Sequence, residues 1–312
     1  MRKILFLFSF IFLLSGCSSY KTTNDFVFPS KIEKAKYIKS YNQTLGLWDV
    51  PFEETDVTTS YGTAHVIMSG PETGEPVILF SGTDASSTMW FPNIKEFNKD
   101  YRVYAIDFPL EAGKSKASVI KLSNKEIGFF YNEVFDHFNM KNINLVGISR
   151  GGWIATYLAL QPDNKIKKIV LLSPAQTFGG INNIVKVLSG LMLKMYPSHK
   201  NLSVFFNSFS FYPDKINRLF KEQLYLAYKY GNSKPRLLKM SRFSKKDLRS
   251  LKIPVMVLVG DHDIMNSEKI LEKANKFLPN TETALIKNAG HFLSIDQSEI
   301  INKKVVDFLN KN

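Results

Sequence analysis

The chain has 312 residues, 44% of them hydrophobic and 13% aromatic, and a formal net charge of +13. That apolar content can bury a large core, which excludes a disordered or low-complexity protein and fits one large domain or one domain with an insertion. Cys17 is the single cysteine, so no disulfide closes within the chain; there is neither H-E-x-x-H nor a Cys-His set, and no metal or cofactor is expected.

The N-terminus, MRKILFLFSFIFLLSGCSS, sets Arg2 and Lys3 before an apolar run at 4–14. A transmembrane helix needs about 20 apolar residues, so this shorter run reads instead as an export signal over 1–16. The order Leu14, Ser15, Gly16, Cys17 resembles the lipobox of bacterial lipoproteins, whose cysteine becomes the lipidated first residue. The alternative is an ordinary cleaved signal with an incidental cysteine, and the lack of any disulfide partner for Cys17 speaks against it. The resemblance implies a protein held by lipidated Cys17 at the non-cytoplasmic side of a bacterial membrane, with 17–46 as a tether rich in Ser, Thr and Lys at its start.

Next, 56–69 reads as an antiparallel hairpin turning at Tyr61 and Gly62. Apolar runs at 76–80, 101–106, 143–147, 168–173 and 254–260 do not alternate with polar residues. Strands buried on both faces of a parallel sheet look like this. Helix-compatible segments between them, such as 124–139 and 153–160, make the pattern that of an α/β doubly wound core over 47–175 and 250–312.

From 173 to 254 no strand signal appears, and 176–249 is expected to be an inserted helical cap. Within it Ile184, Val187, Leu188, Leu191, Met192 and Met195 recur at the spacing of one helix face. That face is expected to pack on the main domain; the alternatives are a pocket wall or a membrane contact. The cap carries 14 Lys or Arg against 3 Asp or Glu, whereas the rest of the mature chain is balanced. Such asymmetry suggests an anionic partner, lipid headgroups or wall polymers, or else a solvated basic surface. No RNA-binding signature accompanies it and an exported protein does not meet nucleic acid, so none is expected.

The string Gly147, Ile148, Ser149, Arg150, Gly151 matches G-x-S-x-G. Alone the match is modest, arising by chance in roughly one chain in ten of this length. It follows an apolar strand and opens a helical segment, the order that lifts a serine Oγ from the end of a sheet, and this favours a nucleophile over a helix cap. A serine needs a base, and the base needs an orienting acid. Of five histidines, His65, His137 and His199 read as packing or surface residues and His262 lies within the acid loop, which leaves His291 as the base. The loop after 254–260 offers Asp261 and Asp263; Asp263, further along, is better placed to turn back to His291, with Asp261 capping the loop. Backbone N–H groups of Thr83, after Gly82, and of Arg150 are the expected oxyanion donors.

With these residues in view, 48–308 resembles the α/β-hydrolase fold serine esterases, in particular a bacterial carboxylesterase family. The resemblance rests on VPFEETDV, YGTAHVIMSGPE, SSTMWFPNI, YRVYAIDF, VGISRGG, LLSPAQTF, VGDHD and KNAGHFLSIDQ. It implies a mostly parallel eight-stranded sheet with a helical cap, and a triad in which Ser149 is nucleophile, His291 base and Asp263 acid. Ser81 stands where such enzymes often have histidine, implying a differently supported oxyanion loop, and the Asp84 carboxylate is expected to point outward. The expected activity is hydrolysis of a small-molecule or lipid ester, the alternatives being a lysophospholipase acting on anionic membrane lipids and a catalytically silent binding protein of the same fold.

Overall fold

The structure, a computed structural model, describes residues 25–162, 165–180, 182–231 and 240–311. The signal at 1–16, Cys17 with the first part of the tether, and the cap's Lys234, Arg236 and Lys239 lie outside the described residues.

The tether expectation fails over half of its length, because helix α1 (Lys31–Leu45) occupies it. Ser30 caps the helix, its Oγ accepting from the Glu33 N–H at 3.2 Å. Tyr37, Tyr41 and Leu45, spaced by four, form a buried stripe. The surrounding lysines hid that stripe in the sequence. Tyr37 donates to the Ala112 carbonyl at 2.9 Å and Thr44 to the Leu219 carbonyl at 3.1 Å, so α1 is part of the fold.

The expected hairpin is β1 (Phe52–Thr59) and β2 (Gly62–Ser69), turning through Ser60 and Tyr61. There follow β3 (Glu75–Phe80), β4 (Tyr101–Ile106), the two-residue β5 (Lys116–Ala117), β6 (Ile143–Ile148), β7 (Ile166–Leu172), β8 (Val255–Gly260) and β9 (Thr281–Ile286). The sheet runs β1-β2-β4-β3-β6-β7-β8-β9, parallel from β4 to β9, with β5 added beside β2. Eight strands were expected; the ninth is too short to leave a periodic signal.

Helices α2 (Ile94–Phe97), α3 (Asn124–His137) and α4 (Arg150–Ala159) precede the cap helices α5 (Ile184–Met195), α6 (His199–Phe209), α7 (Arg218–Tyr230) and α8 (Lys245–Ser250). After the cap come α9 (Lys269–Phe277), α10 (Leu293–Asp296) and α11 (Ser298–Asn310). Successive residues of one strand serve opposite layers. Val77 and Leu79 pack with Phe97 of α2 and Val305 of α11, whereas Ile78 and Phe80 pack with Phe130 of α3, Ile154 of α4 and Ile270 of α9. Burial on both faces is the reason these strands read as unbroken apolar runs.

The α5 expectation is corrected. Leu188, Leu191, Met192 and Met195 are exposed rather than packed on the main domain; the buried residues of the helix are Ser189 and Leu193. Apolar periodicity identified the helix, but its most apolar side is not the side turned inward.

Strand order also locates a crevice. The chain passes from β3 to β4 in one direction, and from β6 through β9 in the other. The loops leaving β3 and β6 therefore separate at the carboxyl ends of adjacent strands, where Phe80 pairs with Gly147. Open α/β sheets bind ligands at such a switch point.

Candidate active site

Ser149 follows β6 directly and adopts φ 53°, ψ −115°. A non-glycine residue at positive φ is strained and persists only where its surroundings enforce it. Here they do: the Ser149 N–H donates to the Leu172 carbonyl at 2.9 Å, and the Ser149 carbonyl accepts from Ala175 at 3.0 Å. A Cβ on Gly147 would stand 2.2 Å from the Gly151 carbonyl oxygen, and one on Gly151 2.1 Å from that of Phe80. Both glycines are thus required for the turn to close. Ser149 occupies the cap position of α4, yet its side chain makes no capping hydrogen bond.

The loop after β8 brings Asp263 to His291, Oδ1 to Nδ1 at 3.0 Å. The Asp263 carboxylate is fully buried and held from both sides, Oδ1 accepting from the Met265 N–H at 2.8 Å and Oδ2 from the Asn266 amide at 3.0 Å. Burial pushes its pKa up, but the His291 charge and hydrogen bond, with the Asn266 and Met265 donors, outweigh burial and leave it below the usual aspartate value. With an ionised carboxylate on Nδ1, that nitrogen carries the proton and Nε2 is the basic one. Asp261 faces elsewhere, against His262 at 2.7 Å and the Ala289 N–H at 3.2 Å, and so braces the loop.

Thr83 lies in the loop after β3, and Arg150 is the first residue of α4. Both border the same cavity as Ser149 and His291. The Arg150 side chain is buried: Nη2 donates to the Gly82 carbonyl at 2.9 Å, the guanidinium lies 4.0 Å from the Phe108 ring centre, and Glu111 is its ion-pair partner. Glu111 also accepts from the Asp84 N–H at 2.6 Å. One carboxylate thereby ties the start of α4 to the loop after β3. Burial raises the Glu111 pKa, Arg150 opposes the shift and Asp84 adds to it. Nothing in the sequence singles out Glu111, since it belongs to no motif and its partners arrive from helix α4 and from the loop after β3.

Asp84 does not point outward as expected. It is 3% exposed, adopts φ 55°, borders the cavity and meets Lys194 of the cap at 3.3 Å. The cationic partner, supplied by the insertion, offsets the carboxylate near the site. Ser81, in place of histidine, supports the loop by donating to the Ala85 carbonyl at 2.7 Å.

Over these groups lies a cavity of about 360 Å³ with walls that include Met89, Phe108, Val187, Phe205, Phe209 and Tyr228. Of the cap phenylalanines, Phe205 and Phe209 border it, Phe178 and Phe206 belong to the cores, and Phe211 stacks edge-on against His262 at 4.5 Å. The His291 loop is latched to the cap by Asp296, which accepts from Gly290 at 2.8 Å and Phe211 at 2.9 Å. His65 is occupied by Glu54 and Asp56 at 2.9 and 2.7 Å, and His199 lies on Tyr225. Among the described residues no group of three or more His, Cys, Asp or Glu is placed to hold a metal ion.

Comparison with known proteins agrees with this architecture. Residues 75–298 match the model of the alpha/beta hydrolase fold, and residues 1–18 match that of the prokaryotic membrane lipoprotein lipid attachment site. The uncharacterized carboxylesterase nap of Bacillus subtilis is 30% identical over 88% of this chain and 92% of its own length. Carboxylesterase YbfK of the same organism is 27% identical over 88% and 93%. The crystal structure of naproxen esterase from Bacillus subtilis superposes with a TM-score of 0.84 at 29% identity, covering 89% of this chain and 98% of the other.

Proposed function

The chain belongs to the α/β-hydrolase fold family, and on that premise we propose that it is a lipid-anchored serine carboxylesterase of the cell envelope, acting through Ser149, His291 and Asp263. The coarse class, a carboxylic ester hydrolase, is carried by the carboxylesterases it matches along nearly its whole length. One observation carries the finer reading: Ser149, held at positive φ with no capping bond, opens into the cavity that also receives His291 with Asp263 on its Nδ1.

The reaction follows from this arrangement. Ser149 Oγ attacks the ester carbonyl while His291 Nε2 takes its proton, and Asp263 orients the ring and stabilises the imidazolium. The Gly82 carbonyl is engaged by Arg150 Nη2, so across the trans peptide the Thr83 N–H points the opposite way. Together with the Arg150 N–H at the start of α4 it stabilises the developing oxyanion. His291 then protonates the leaving alcohol, and water activated by the same imidazole releases the acid from the acyl-enzyme. The apolar cavity favours an acyl or alcohol group with little charge.

The match over 1–18 supports lipidation of Cys17, and such an anchor would hold this chemistry at a membrane surface, on our reading the non-cytoplasmic one. Among the described residues no helix is long and apolar enough to cross a membrane. A fluorophosphonate probe tests the nucleophile: labelling is expected at Ser149 and should disappear in Ser149→Ala. An unlabelled native protein would favour the silent binding protein instead.

A further inference from the structure

Helix α5 has two apolar sides. Val187 and Gly190 border the cavity. Val185, Leu188, Met192 and Met195 are exposed by 73, 48, 48 and 57%, and their spacing of three or four places them in one stripe. Tyr196 just beyond the helix and Val204 on α6 are also exposed. Soluble proteins scatter exposed apolar side chains singly; a contiguous stripe marks an interaction surface.

We propose that this stripe is a membrane-docking face, seated in the surface of the bilayer that carries the Cys17 anchor, so that α5 forms the wall between the lipid and the acyl cavity. The inference rests on the lipid-anchored esterase reading above and names where its substrate enters.

Two observations favour lipid as the occupant. The first is where the anchor joins the fold. Residues 25–28 border one small cavity with Pro109 and Gly113, in the loop beyond the carboxyl end of β4, and with Lys116 of β5, at the cap end of the sheet. In the helix that follows, Lys36 stands 5.7 Å from the ring of Tyr230 in the cap. Cys17 is eight residues from Asp25, a reach of at most about 28 Å. An anchor on Cys17 therefore joins the fold at the cap end, within reach of a membrane on which the cap is seated.

The second is charge. The stripe belongs to the segment with 14 basic and 3 acidic residues, and Lys200 lies one turn before Val204 on the exposed face of α6. Apolar side chains set among lysines are the composition of a helix lying in an anionic lipid interface. Leu191 belongs to both surfaces, being 48% exposed and bordering the cavity, which gives an acyl chain a continuous apolar path inward.

The test uses the mature chain, 17–312, with Cys17→Ser so that no acyl group contributes, floated with vesicles of equal parts phosphatidylglycerol and phosphatidylcholine. The protein is expected to float with the vesicles. Replacing Leu188, Met192 and Met195 together by Gln should lower the bound fraction's partition coefficient at least about tenfold, with the unfolding midpoint and hydrolysis of soluble p-nitrophenyl butyrate unchanged. Absence of vesicle binding by the parent, or equal binding by both proteins, overturns the proposal. So does a loss of dimer on sedimentation without a change in vesicle binding, which would assign the stripe to a second copy of the chain. Failure of the esterase reading would show separately, as absent butyrate hydrolysis in both proteins with vesicle binding intact.

Discussion

The carboxyl edge of the sheet and the cap above it handle their polar and apolar groups in opposite ways. At the sheet edge the ionisable groups are buried and paired, Asp263 with His291 and Glu111 with Arg150, on loops fixed by adjacent strands. On the outer side of the cap, Val185, Leu188, Met192 and Met195 stand in solvent, in a segment with a large basic surplus. The region of buried, paired charges suits chemistry, which depends on preorganised dipoles; the other suits recognition at a surface. Lys194 joins them, reaching from α5 to Asp84 in the loop after β3.

If that division holds, changes at the edge should be large and changes on the outer cap small. Ser149→Ala should lower turnover of a short p-nitrophenyl ester by at least roughly 10⁴, by analogy with other triad serines, leaving the unfolding midpoint near that of the parent. Substantial retained turnover would remove the edge from the chemistry. Asp263→Asn should lower turnover by about 10⁴, because the amide favours the wrong imidazole tautomer.

Asp263 also makes a prediction about pH. Its folded pKa is depressed, so the folded state binds that proton more weakly than the unfolded chain. The stabilisation is present above the unfolded value of about 4 and is lost as pH falls through the lower folded value. In Asp263→Asn, unfolding midpoints recorded below about pH 4 should fall less steeply with acid than in the parent.

Glu111→Ala comes next. Removing the carboxylate strands the buried Arg150 guanidinium and should cost about 3–5 kcal/mol in denaturant unfolding. Turnover at low temperature should fall too, since the same carboxylate holds Asp84 beside Thr83. Smallest of all, Val185→Gln on the outer cap should change stability by no more than about 0.5 kcal/mol and leave soluble-ester turnover unchanged. A large loss there would mean that the stripe packs against something essential to the fold.

Legibility differed between the regions for a physical reason. The central parallel strands β3, β6 and β8 are buried on both faces and leave apolar runs, and the elbow needs glycine at 147 and 151 because backbone closes to within about 2 Å of any added Cβ. Such constraints act between near neighbours in the chain and survive in the sequence. Helix α1 was missed because its buried Tyr37, Tyr41 and Leu45 are separated by mostly polar residues, and a sparse stripe resembles a polar linker. In α5 the periodicity named the helix but not the side that is buried.

By itself the sequence determined the doubly wound core, the order of the serine, acid and histidine loops, the placement of the insertion and its charge. Those properties follow from burial pattern and local backbone geometry. Only the tertiary structure decided that Asp263 rather than Asp261 meets His291, that Glu111 bridges Arg150 to the Asp84 backbone, and that the Asp84 carboxylate faces Lys194. Each of these is a contact between segments distant in the chain, whose pairing depends on which strands and helices lie side by side. The outward stripe of α5 was decided in the same way, by the seating of the cap over the sheet edge.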